Sequence, residues 1–252
     1  MRTGWRLLGA EFHRYLAECR AYWPAFVTQT VTTVIIFAVF FGLSSSAREP
    51  SAWFGYLLWI LASSVLSEGP VSTNSEKQWG TLSQLLIRPI RLGSLLAIKT
   101  VVWTVVNLVF ATVTVGLLAL IFRLPLAWNW HLIPLGLLGL ASLFGFTLVL
   151  TSLTLIWSKS SGLAGIVSYA LLFLTGTLVP LESLPHFLRI IGYSLPLTGA
   201  ITSGKEILTG GTIGWDAFAL MLAEGIGYIG LGILIFQIFL HRAKRQGISM
   251  RY

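Results

Sequence analysis

The sequence predicts an all-α membrane protein: six transmembrane helices, an N-terminal amphipathic interfacial helix, and a broken re-entrant outer segment before the last helix. Three observations predict it. The 252 residues are 55% hydrophobic and 10% charged, with mean hydropathy +0.81, whereas a soluble domain carries roughly 25% charged residues. The apolar residues gather in runs long enough to cross a hydrocarbon core of about 30 Å. The Lys and Arg residues fall mostly on one side of those runs.

The elements follow in order. In residues 3–23, Trp5, Leu8, Phe12, Tyr15, Leu16, Cys19 and Trp23 recur at steps of three and four, while Arg2, Arg6, His13, Arg14 and Arg20 lie off that stripe. The pattern predicts a basic amphipathic helix, suited to an anionic headgroup layer or, alternatively, to packing on a core. Six apolar runs follow, at about 24–43, 51–68, 93–122, 132–157, 162–181 and 214–240. Helices are expected in each, because a lone helix pairs its own backbone polar groups in lipid. The third run is longer than the bilayer requires, so it projects or tilts. Residues 182–211 are interrupted by Pro185 and Pro196, just after Pro180, yet keep an apolar face at Leu184, Phe187, Leu188, Ile190 and Ile191. They predict short broken helices dipping into the outer leaflet. The organisation is thus an interfacial helix over 1–23 and a six-span domain over 24–252.

Orientation follows from charge. With the N-terminus in the cytoplasm, thirteen Lys and Arg fall inside, and only Arg48, Arg123, Arg189 and Lys205 fall outside. An even span count returns the basic C-terminal tail to the cytoplasm. The net charge of +8 is spread between apolar runs, which fits topology rather than nucleic-acid binding. The single cysteine excludes an internal disulfide framework, and the four histidines have no metal-ligand spacing. The first apolar run is too long for a signal h-region and lacks a small-residue cleavage site.

Residues 72–99 are the most informative stretch. Ser75 followed by Gln78 reads as a capping box. Trp79, Leu82, Leu85 and Leu86 give an apolar face, and Pro89 stops the helix. A short amphipathic helix over 75–89 could dock in a groove of a soluble partner or merely lie on lipid. The run Glu76-Lys77-Gln78-Trp79-Gly80-Thr81-Leu82, with Leu85-Leu86, Pro89 and Lys99, resembles the signature of ATP-binding-cassette type-2 transporter permeases. Leu184-Pro185-His186-Phe187-Leu188-Arg189 and Leu195-Pro196-Leu197-Thr198 are similar to elements of the drug-resistance and nodulation-type members. Gln78 stands where many members have Glu.

The resemblance implies a permease subunit of an exporter, in a prokaryotic cell membrane, with the 75–89 helix coupling it to a separate cytosolic ATPase. It implies coupling roles for Glu76, Lys77, Trp79, Gly80, Thr81, Leu82, Leu85 and Leu86. Lys159, in the turn 157–161, would make a second contact, although a plain connector fits that turn as well. Pairing with a second permease copy is implied too, as homodimer or heterodimer, in contact with membrane lipid. ATP and Mg would sit on the partner. Residues 199–205 have the Gly and Lys spacing of a phosphate loop, but Glu206 replaces the magnesium-binding hydroxyl and no strand precedes them. No ATPase site or cofactor is therefore expected in this chain.

A substrate path is less legible. Tyr56 and Trp59 in the second run, with Tyr169, Phe173 and Thr175 in the fifth, are candidates for a mixed aromatic lining; packing is the alternative. Glu68 is expected at the solvated inner end of the second span. Glu224 falls inside the last span or at its outer interface, depending on register. In the former case it would suit a proton-coupled secondary transporter, the alternative reading. The hydroxyls of the first span, and the small residues Ala141, Gly145, Gly225, Gly227, Gly230 and Gly232, suit helix–helix contact.

Overall fold

The computed structural model describes residues 2–43, 49, 51–81, 84, 92–124, 126–157 and 162–245, with side chains except at 2–5, 41–43 and 244. The described residues are helical and contain no strand. Helix α1 is Arg2–Ala21, α2 is Trp23–Leu43, α3 is Ala52–Gln78, α4 is Leu92–Phe122 and α5 is Leu132–Ile156. Then come α6 at Leu163–Leu174, a 3-10 turn at Leu181–Ser183, α7 at His186–Ser194, α8 at Thr198–Leu208 and α9 at Trp215–Arg245. Among the described residues, five helices are long and apolar enough to cross a membrane: α2, α3, α4, α5 and α9.

Helix α1 meets α2 at a tight elbow. Tyr22 N–H donates to Glu18 O at 2.8 Å and Ala25 N–H to Tyr22 O at 2.9 Å. Pro24 lies in the first turn of α2, where a missing N–H costs little. Helix α3 is the centre of the molecule. Its first half is buried nearly all round, from Ala52 to Ala62. Helix α5 packs along α3 and α9 along α5. Small residues set both approaches. A Cβ at Gly69 would overlap the Thr151 hydroxyl, and one at Gly145 would overlap the Tyr228 carbonyl. Gly232 abuts the Gly145 backbone and Gly225 faces Ala141, whereas Gly227 and Gly230 face open space.

The fifth apolar run departs from the predicted 162–181 span. Its helix α6 has 12 residues, about 18 Å at 1.5 Å per residue, too short to cross. The helix stops because Gly176 takes φ 80°, and Thr175–Val179 are irregular. The Thr175 hydroxyl donates to Leu171 O at 2.6 Å, and Lys205 Nζ donates to Gly176 O at 2.6 Å and Thr177 O at 3.2 Å. The Lys205 bonds satisfy carbonyls that no helix continues to pair. The broken stretch that follows has helices where Pro180, Pro185 and Pro196 permit them. Its α8 packs on α3 and α5, so the irregular backbone is covered by protein.

A second correction concerns the 75–89 helix. Ser75 does not start it. Residues 75–78 are the last turn of α3, and their N–H groups lie within an unbroken helical ladder, so the capping box has nothing to cap. The break comes at Trp79–Gly80. Gly80 has φ 70°, and its N–H donates to Lys77 O at 3.2 Å, as at a left-handed glycine C-cap. Thr81 and Gln84 are helical beyond the break. Leu82, Leu85, Leu86 and Pro89 lie outside the described residues, as does Lys159.

Candidate functional site

The end of the bundle that carries α1, the end of α3 and the end of α5 gathers the polar chemistry. Glu76 forms an ion pair with Lys99 of α4, and Lys99 Nζ also donates to Ser72 Oγ at 3.3 Å. Lys77 is 8% exposed. Its Nζ reaches Leu155 O at 3.4 Å and Ile156 O at 3.5 Å, long contacts to orphan carbonyls at the C-terminus of α5. The Thr81 hydroxyl donates to Glu76 O at 3.1 Å. Trp79, in contrast, is 76% exposed. The acidic-basic pair thus faces inward and ties the α3 break to α4 and α5, while the indole projects.

A second polar group joins three helices. Tyr15 OH of α1 donates to Glu68 Oε1 of α3 at 2.6 Å, and Asn107 Nδ2 of α4 donates to Tyr15 OH at 2.9 Å. Asn107 also bonds Trp103 O at 2.9 Å. Burial, then the Glu68 carboxylate, pushes the Tyr15 hydroxyl well above the usual phenol range. Leu8, Phe12, Leu16 and Cys19 surround this group and pack with Val102, Trp103 and Val106. The apolar stripe of α1 therefore docks on α4. Glu68 is half-buried beneath α1, which replaces the solvated position expected for it. Sequence reading missed Tyr15 and Asn107 as polar partners. The available signal was a lone Asn in an otherwise apolar run, which needs a partner in the bundle.

The candidate path residues do not form one surface. Tyr56, Trp59 and Thr175 are buried, at 1%, 3% and 1% exposure. Trp59 Nε1 donates to Ser168 O at 2.9 Å, and the Tyr56 ring packs edge-on against Phe37 at 4.6 Å. Tyr169 and Phe173 lie on the exposed side of α6, Phe173 against Phe40 at 5.4 Å. Glu224 lies in the third turn of α9 beside Gly199 of α8, and its buried Oε1 has no hydrogen-bond partner among the described residues.

Residues 199–205 belong to helix α8. A Cβ at Gly204 would overlap the Phe54 ring, and burial holds the Lys205 ammonium below the usual lysine range while it bonds the Gly176 and Thr177 carbonyls. Among the described residues, no three His, Cys, Asp or Glu side chains form a metal-binding group.

Residues 4–208 match the family described as ABC-2 type transporter. Two relatives described as inner membrane transport permease YhhJ, from Escherichia coli K12 and Shigella flexneri, are each 27% identical over 200 residues. The alignments cover 74% of this chain and 52% of each relative, so the chain spans about half the length of the curated relatives it matches.

Proposed function

The chain belongs to the ABC-2 type transporter family, and we propose that it is the membrane-spanning subunit of an ATP-driven exporter, coupled to a separate cytosolic ATPase. In this reading it lies in the inner membrane of a prokaryote, and both termini are cytoplasmic. It crosses six times, the fifth crossing being made by α6 with the irregular Thr175–Val179 backbone. A second permease copy completes the translocation path, and ATP and Mg bind the ATPase. The cargo class is amphipathic: a drug, a lipid or a lipid-linked glycan.

The carrying observation is the break at Trp79–Gly80. Trp79 projects from the end of α3, while Glu76 and Lys77, three and two residues before it, are anchored to α4 and α5. A push on the exposed segment would therefore reach three helices at once. Glu76 and Lys77 act in coupling as anchors, and Trp79 acts as the docking side chain of a helix-in-groove contact. Gly80 provides the bend, Thr81, Leu82, Leu85 and Leu86 act with Trp79 in coupling, and Lys159 makes a second contact with the ATPase. Replacing Trp79 by Asp is expected to abolish copurification of the coexpressed ATPase while membrane insertion persists. Unchanged assembly would contradict the reading.

A proton-coupled alternative draws on one observation, the unpartnered Oε1 of Glu224. Ion coupling needs a carboxylate that transport depends on. Full transport by Glu224→Gln would remove that alternative.

A further inference from the structure

One face of α3 stays polar deep into its membrane-length run. Ser63, Ser64, Ser67, Glu68, Ser72 and Ser75 recur at steps of one, three and four and line a cavity of about 490 Å³. Tyr15, Cys19, Phe26 and Gln29 form the facing wall from α1 and α2, and Trp103 and Asn107 contribute from α4. The serines bond back along their own helix: Ser64 Oγ to Ile60 O at 3.2 Å and Ser67 Oγ to Ser63 O at 2.9 Å. Their oxygens still keep lone pairs to offer the cavity.

The charges around the cavity are nearly all spent. Arg14 bonds Glu11 and Glu18, and Lys99 bonds Glu76. Among the described residues Glu68 has one hydrogen-bond donor, the Tyr15 hydroxyl, and no ion pair within 4 Å; Arg14, the cation near enough to act on it, is already shared with Glu11 and Glu18. A half-buried carboxylate that shares its nearest cation with two other carboxylates gains from a further cation placed beside it. The exposed ring of Tyr22 and the half-buried ring of Phe26 line the cavity and favour an organic ammonium, whose cation rests well against π faces. Ala25, Phe26 and Val71 supply apolar wall for the rest of such a molecule.

We propose that the cleft between the α1–α2 elbow and α3 binds an amphiphile with an organic cationic head, the cation against Glu68 and the apolar part along Phe26. As the loading site of an exporter, the cleft rests on the transport reading above. As a binding site it stands without it, so binding is measured on the permease alone.

The probe is tetraphenylphosphonium, compared with tetraphenylborate, which has the same shape and opposite charge. Both are titrated onto the purified permease in phosphatidylcholine nanodiscs. Saturable binding is expected for the cation only. Glu68→Gln is expected to weaken it about tenfold, the loss of roughly one charge contact. Glu68→Asp should retain most of it, and Ser67→Trp, which fills the cavity, should abolish it. Both Glu68 variants must stay monodisperse on size exclusion, which separates lost binding from lost fold. Equal binding of both ions, no saturable cation binding by the wild type, or unchanged affinity in Glu68→Gln would overturn the proposal. Cation binding without ATPase association would instead defeat the transport reading and leave the site standing.

Discussion

Tyr15 does two jobs with one hydroxyl, donating to Glu68 and accepting from Asn107. Removing it in Tyr15→Phe takes a partner from the half-buried Glu68 and from the buried Asn107, at about 1–3 kcal/mol. The sole cysteine of the chain reports on this. Cys19 is one turn further along α1, and burial, then the nearby Glu68 and Glu18, push its thiol up to about 11. The thiolate is the reactive form, so a neutral maleimide should label Cys19 about a hundredfold more slowly at pH 8 than an open thiol, and the rate should climb until pH approaches that value. Tyr15→Phe should accelerate the labelling about tenfold by loosening α1; an unchanged rate would mean the apolar contacts hold α1 without the hydroxyl. At this scale the sequence was half legible. Trp79 reads as part of an apolar docking face, and its side chain is exposed. Glu76 and Lys77 are implied to act in coupling, and both point into the bundle, where their partners, Lys99 and the end of α5, are distant in the chain. No local pattern discloses such pairing.

Among the elements, the long apolar runs were the most legible, since length and composition alone decide them. The starts and ends of α2, α4 and α5 lie within a residue or so of the expected runs. Two breaks were misread: apolarity does not say that a backbone stays helical, and a serine followed three residues on by glutamine does not say that a helix starts there. At Thr175–Val179 the chain leaves the helix at Gly176, with φ 80°, and Lys205, contributed by α8, bonds the carbonyls left unpaired. At the end of α3, helix continues through Ser75 because a serine in mid-helix need not cap, and Gly80 ends it. The small residues of α5 and α9 carry a sharper expectation. Gly145→Leu should destabilise the bundle by about 1–3 kcal/mol through a backbone clash with Tyr228. Gly227→Ala faces open space and should leave thermal stability equal or slightly higher, since alanine favours helix by up to about 1 kcal/mol. Melting of the detergent-solubilised variants by size-exclusion fluorescence checks both, and equal losses would show that the glycines are interchangeable.

On the scale of the whole molecule, the features are arranged by end. The end carrying α1 and the α3 break holds the ion pairs, the Tyr15 group and the polar cleft. The opposite end holds the broken helices α7 and α8 and the Lys205 contacts. Composition and charge asymmetry made the membrane character plain, and the signature around Trp79 made the family plain. The cleft was not legible, because its walls come from α1, α2, α3 and α4 together. The two ends give the coupling claim a direct control, since Trp215, at the opposite end, is 89% exposed and Trp79 is 76% exposed. The decisive measurement places a photo-crosslinking amino acid at position 79 or at position 215 in cells coexpressing the ATPase. Coupling through Trp79 predicts a covalent adduct with the soluble ATP-binding subunit from position 79 and none from position 215. Absence of an adduct at 79, or an equal yield at 215, would contradict it.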